Sequence, residues 1–163
     1  IDCVIRAGEP QPSSLIVRRL ATFHWYVCAS PDYLERHGTP ASLADLRGHV
    51  AVGYADSRTG RATSWTFRDG AEITSVPMTG HVTVNDTDAY IAAGIAGLGL
   101  IRAASYMVHK PLTEGRLVRL LTDLEAPTDP LSVLYPQSRH LSPAVRAFID
   151  WCIEVIGEEA AGW

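Results

Sequence analysis

Cysteine is scarce in this chain. Cys3, Cys28 and Cys152 are the three in 163 residues. They are odd in number, far apart and contain no CxxC pair, which argues against a disulfide framework and a zinc clasp and fits a reducing, cytoplasmic compartment. Long apolar runs are missing too. Arg, Asp, Glu or His interrupts every hydrophobic stretch well before the roughly 18 residues a membrane span needs, so no membrane role is expected. Nor is there an excess of positive charge. Lys and Arg total 14 against 18 Asp and Glu, a net charge of −4, which offers no field to attract polyphosphate and makes these residues a poor nucleic-acid binder. The six histidines form no HExxH and no i, i+4 pair, there is no GxSxG elbow, and carboxylates stand singly. No catalytic residue, metal site or cofactor is therefore expected.

What is present is an ordinary globular composition. Hydrophobic residues make up 47% and charged residues 20%, enough for one substantial core or two small ones. Ile1 to Gly8 reads as a buried strand already in progress, with no initiator Met or signal segment before it, so the chain is expected to be a piece of a longer one. The Pro- and Ser-containing loop Glu9–Ser14 leads to a second strand, Leu15–Leu20, and a third spans Trp25–Ala29. Ser30, Pro31 and Gly38 punctuate a short helix as N-cap, first residue and stop. Ser42–Leu46 reads as a single-turn helix. Trp65–Arg68 and Glu72–Met78 flank Asp69-Gly70 as a hairpin. A strand at His81–Val84, a helix at Asp88–Ala96 capped by Asn85, Asp86 or Thr87, and a buried strand at Leu98–Ile101 follow the βαβ grammar of a partly parallel sheet, hence class α/β. A helix around Ala103–Val108, a strand at Gly115–Leu121, a break at Pro127–Pro130 and a strand at Leu131–Tyr135 come next. The last helix opens at Ser142-Pro143 and carries Val145, Phe148, Ile149, Cys152 and Ile156 as one apolar stripe.

Few residues invite chemistry. Cys28 or Ser30 as a nucleophile would need a nearby base, but their places in an apolar strand and at a helix start give them packing and capping roles instead. The glycines of Gly94–Gly99 follow a helix and open a strand, the reverse of a dinucleotide loop. More informative are three strand ends: Arg6-Ala7-Gly8, Ala29-Ser30-Pro31 and Val84-Asn85-Asp86-Thr87. Free N–H groups at helix starts, with a cap and an Arg nearby, bind carboxylates. Such junctions converge at the carboxyl edge of an open α/β sheet. The plainer reading, caps that serve their own helices, stays open for each.

The ordered series Val4-Ile5-Arg6 with Gly8, Ala29-Ser30-Pro31 with Tyr33-Leu34, His37-Gly38, Val84-Asn85-Asp86, Ala96-Gly97-Leu98-Gly99-Leu100, Gly115-Arg116-Leu117-Val118 and Ser142-Pro143 with Val145-Arg146 and Phe148-Ile149-Asp150 resembles the effector-binding domain of LysR-type transcriptional regulators. The resemblance covers nearly the whole chain. It implies a fold similar to type II periplasmic binding proteins, with two α/β subdomains joined by two crossovers. Subdomain I would hold about 1–19 and 132–163, and subdomain II about 20–131. A small, anionic effector would lie in the cleft, at Arg6, Ala7, Gly8, Ala29, Ser30, Asn85, Asp86, Gly97, Leu98, Gly99 and Arg102. Arg102 departs from the family pattern. It either meets an anionic effector or snorkels to solvent, and the solvent reading comes first. Members form homodimers or homotetramers and touch DNA through a winged helix-turn-helix that this sequence does not contain. With the early strands of subdomain I missing, the chain taken alone is expected to expose an apolar face and self-associate. Two rivals stand beside this reading: a solute-binding protein of a transport system, and an enzyme using Cys28 or a histidine.

Overall fold

The computed structural model describes residues 2–56, 59–62, 64–69, 72–124, 126–137 and 142–162. Backbone contacts divide the chain into two units, Ile1–His24 with Thr128–Trp163, and Trp25–Pro127. The crossings thus fall at 24/25 and 127/128, where the sequence put them near 19/20 and 131/132.

In unit 1, β9 (Thr128–Pro136) is flanked antiparallel by β1 (Val4–Ala7) and by the first part of β2 (Leu15–Ala29). Leu134 faces Val4 on one side and Val17 on the other. Helix α4 (Pro143–Glu159) begins where the sequence put it, with Ser142 Oγ accepting the Val145 N–H at 3.2 Å. Ile149 and Cys152 are buried on it, whereas Phe148 and Trp151 are exposed.

Several expectations need correction here. The first strand is not buried: Val4 is 36% and Ile5 40% exposed, because β1 has only β9 beside it among the described residues, while Ile1 lies outside them. The second and third strands are one. A register slip between Arg19 and Ala21 lets β2 keep its pairing with β9 as far as His24 opposite Thr128. The proposed break at 127–130 is likewise strand from Thr128 on. Pro130 lacks a donor but still offers its carbonyl, which accepts the Gly8 N–H at 2.9 Å.

In unit 2 the last residues of β2 lie between β7 (Ile101–Ala104) and β8 (Val118–Leu120), both antiparallel. On the far side of β7 the sheet turns parallel. Val52 N–H donates to Leu100 O and Leu100 N–H to Val50 O, each at 2.9 Å. Beyond that, β3 (Gly53–Tyr54) pairs parallel with β6 (Thr83–Val84). Helix α2 (Thr87–Ile95) therefore sits in the expected βαβ crossover, from β6 to β7 with β3 between them. The predicted strand at 98–101 begins late. Gly97 turns at φ +72°, Leu98 is 49% exposed, and only Leu100 onward pairs. As a result Ala103 and Ala104 are strand, and α3 (Ser105–Thr113) starts two residues later than read. Strands β4 (Trp65–Asp69) and β5 (Glu72–Val76) form the predicted hairpin, whose Gly70 lies outside the described residues, as does Leu141 before α4.

Helix α1 (Pro31–His37) has the predicted cap and stop. The single-turn helix is a 3-10 turn displaced to Asp45–Gly48, with Asp45 Oδ2 taking the Ala41 and Ser42 N–H groups. One core cluster of this unit gathers round Tyr33, Leu46, Trp65 and Leu100, and a second round Cys28, Ile101, Val108 and Leu117. Tyr33 is fully buried, and its hydroxyl accepts the Val50 N–H at 3.2 Å and lies 3.1 Å from His49 Nδ1. No helix among the described residues is long and apolar enough to cross a membrane.

Candidate functional site

The residues singled out in sequence fall into four places. Arg6, Ala7 and Gly8 close β1 on unit 1. Arg6 pairs with Ser132 and Ala7 with Leu131. No helix follows Gly8, because the chain runs on to β2, so this end is not the helix start the sequence suggested. The second place is the corner where β2 meets α1. Ala29 and Ser30 are buried there, with Ser30 Oγ accepting the Tyr33 N–H at 3.2 Å. Gly97 is adjacent, since a Cβ built on it would lie 3.1 Å from Ser30 Oγ. Its carbonyl accepts Arg36 Nη2 at 3.1 Å, the same nitrogen that meets Asp32 at 2.6 Å. Leu98 points outward from this corner, and Gly99 presses on the Val50–Ala51 backbone. The third place is the exposed turn of Asn85 and Asp86, where Asp86 Oδ1 takes the Ala89 N–H at 2.9 Å. Ser30 and Asp86 thus spend their acceptors on their own helices.

The fourth place is Arg102, on β7 opposite Val27. Its guanidinium does not simply reach for solvent as the sequence reading had it. It lies 4.9 Å from the Trp25 ring centre and 5.8 Å from that of Phe67, an attraction between cation and ring face worth about 0.5–2 kcal/mol. Arg102 also lines a cavity of about 200 Å³ whose described lining residues all belong to unit 2. Trp25, Trp65, Tyr54 and Tyr90 supply aromatic walls; Met107 and Ala103 add apolar surface, and Thr87 a hydroxyl. Thr87 follows Asp86 directly, so the cavity brings the start of α2 to Arg102.

Tyr90 holds this arrangement from below. Its hydroxyl accepts the Arg102 N–H at 3.0 Å and donates to the Arg102 carbonyl at 3.4 Å. Burial pushes the phenol up to about 12, so it keeps the proton that second bond requires. Tyr54 packs edge-on to Tyr90 at 5.3 Å and 83°, with its hydroxyl 3.4 Å from Thr87 Oγ1. Of this set the sequence reading named Arg102 as a site residue and Thr87 as part of a candidate helix start. A signal existed in the two tryptophans set in strand patterns, but which strand residues face one cavity depends on pairing register.

Cys28 is fully buried, and burial drives its thiol up to about 12, far from a reactive thiolate. No group of three or more His, Cys, Asp or Glu gathers to hold a metal among those residues.

Comparison with known proteins places the chain. The model of the LysR substrate binding domain matches residues 1–157. The HTH-type transcriptional regulator YhjC of Escherichia coli is 36% identical over 96% of this chain and 52% of its own length. The regulator CrgA of Neisseria meningitidis is 29% identical over 99% of this chain and 54% of its own. The chain therefore spans about half the length of these relatives. Among solved structures, the CrgA regulatory domain superposes with a TM-score of 0.83 at 28% identity, covering 96% of this chain and 76% of that one. The regulatory domain of AphB from Vibrio vulnificus gives 0.74 at 30% identity, covering 94% and 74%. These are regulators and not transport binding proteins, and their regulatory domains carry an α/β fold similar to type II periplasmic binding proteins. With the model match running through nearly every element described above, this chain belongs to the LysR substrate-binding domain family, the effector-binding part of LysR-type transcriptional regulators.

Proposed function

We propose that this chain is the sensing portion of a longer cytoplasmic regulator, and that the aromatic cavity of unit 2 receives its small-molecule effector. The observation that carries this reading is the cavity itself: a recess of about 200 Å³ with aromatic walls and a positively charged lining residue, Arg102, the mix of apolar surface and few polar groups that small ligands use. Among the residues named from sequence, Arg102 touches the ligand, and Asn85 and Asp86 set the mouth by starting α2. Ala29, Ser30, Gly97, Leu98 and Gly99 shape the neighbouring corner. The domain senses and does not catalyse. DNA is touched by a helix-turn-helix outside these residues, as the names of the relatives support, and the working protein is a homodimer or homotetramer. An effector acts by its unequal affinity for the DNA-binding and non-binding forms, not by tightness alone. A thermal-shift screen of small metabolites against the protein, read with tryptophan fluorescence, tests the reading. At least one compound should raise the melting temperature and quench emission in the wild type, and quench less in Trp65→Leu, which keeps Trp25 as the other tryptophan lining the cavity; a screen without such a compound overturns it.

A further inference from the structure

We propose that Cys3 and Cys152 of unit 1 form a redox-responsive pair, which closes to a disulfide when a peroxide oxidises Cys3. Strand pairing fixes the face of the sheet that each residue takes. Ile5 and Arg18 both lie opposite Val133, and residues opposite one another across a ladder share a face. That face is the one α4 covers, because Arg18 Nη1 stands 3.8 Å from Asp150 Oδ1 and a recess joins Arg18 and Tyr135 to Ile149 and Asp150. Cys3 stands two residues before Ile5, so alternation along the strand turns it to the same face. Continuing the register past Val4 and Leu134 sets it beside Tyr135. On the helix, Cys152 lies three residues from Ile149, so the two share one side of α4, and both are buried. The two thiols therefore face one another between the start of β1 and α4. Electrostatics agrees with this placement: burial, and then Cys3, hold the Cys152 thiol above its usual range, and a second thiol is felt there only from close by.

The two thiols take different parts. Cys3 is half-buried and Cys152 fully buried, so a peroxide arriving from solvent reaches Cys3 first. The Cys3 thiolate takes one oxygen of the peroxide as the O–O bond breaks and becomes a sulfenic acid, while the other oxygen picks up a proton and leaves as water. The Cys152 sulfur then attacks the Cys3 sulfur. Its proton leaves with the hydroxyl as a second water, and the S–S bond forms. The pair of thiols has lost two electrons and the peroxide has gained them. Disulfide geometry asks for Cα atoms about 4.4–6.8 Å apart, and Cys3 can adjust to it, since it precedes the first register pair of β1 at Val4. In a reducing compartment the pair rests as two thiols, and a dithiol reopens the bridge. Cys28 takes no part, because it lies in the sheet of unit 2.

The test adds hydrogen peroxide to the intact protein and to its Cys3→Ser, Cys152→Ala and Cys28→Ala variants, and reads free thiols, dimedone trapping and a non-reduced peptide map. The wild type should lose the Cys3 and Cys152 thiols together, at least about tenfold faster than that of Cys28, and yield one linked peptide that dithiothreitol separates. Cys28→Ala should behave in the same way. Cys3→Ser should slow oxidation of Cys152 at least about tenfold, because a buried thiol then waits for its unit to open. In Cys152→Ala, dimedone should trap the Cys3 sulfenic acid that the wild type does not accumulate. A wild type that ends with dimedone on Cys3, or with Cys3 joined to a second molecule, overturns the pair, and so does loss of all three thiols at one rate. The wild-type peptide map decides the matter alone where a variant does not fold.

Discussion

The two units handle apolar surface differently. Unit 2 holds both core clusters, with Tyr33, Leu46, Leu100 and Ile101 fully buried, and exposes the large hydrophobics Ile73, Leu98 and Val118 only singly. Unit 1 buries the middle of β9 and one face of α4 but leaves Val4, Ile5, Ile16, Val17, Phe148 and Trp151 between 36% and 56% exposed. The difference is one of neighbours: a strand or helix is buried only as far as other elements cover it.

Substitutions at glycine should break the contrast most sharply. A Cβ on Gly80 would fall 1.7 Å from the Ala51 carbonyl oxygen, so Gly80→Ala has to pull the chain at 50–52 off its neighbours. We expect a loss of about 3 kcal/mol or more in urea unfolding, as for severe overpacking. Gly157, on α4 of unit 1, meets nothing within 4 Å, so Gly157→Ala should instead gain about 0.5–1 kcal/mol through helix propensity. Next is Tyr33→Phe, which strands the Val50 N–H and the His49 ring and should cost about 1–3 kcal/mol by the same measurement.

The same histidine gives unit 2 a pH dependence. Burial, and then His37, lower His49 below its ordinary value, while Asp45 works the other way. The unfolded chain therefore takes up a proton near pH 6.5 before the folded one does. Stability from this group is complete above that pH and is lost as pH falls toward the lowered folded value. The melting temperature should drop between pH 7 and 5, and His49→Gln should flatten that slope; an unchanged slope counts against it. In unit 1, Phe148→Ser with Trp151→Ser should reduce self-association in sedimentation while changing unfolding by less than about 0.5 kcal/mol, because both side chains are already exposed. The smallest effect is expected of Asp32→Asn. It removes a half-exposed i, i+4 pair with Arg36 and should cost about 0.3–0.5 kcal/mol.

What could be read from sequence follows the range of each signal. The starts of α1, α2 and α4 were readable because Ser30, Asp86 and Ser142 bond to an N–H three residues on. The hairpin strands were readable for the same local reason. Strand limits were not: a bulge at Arg19–Ala21 fused two strands, and a Gly97–Gly99 turn delayed a third. The cavity was least readable. Trp25, Tyr54, Trp65 and Arg102 meet only once β2, β3, β4 and β7 are assembled in register, and no spacing along the chain encodes that.

The buried cysteines give each unit its own clock. Cys28 lies in the sheet of unit 2, one register step from Arg102 on the partner strand, and Cys152 lies on the buried face of α4 in unit 1. A thiol reagent reaches either one only while its own unit opens, so the two alkylation rates report two separate opening equilibria in one experiment. A ligand seated against Arg102 should slow labelling of Cys28 in proportion to its occupancy and leave Cys152 at its former rate.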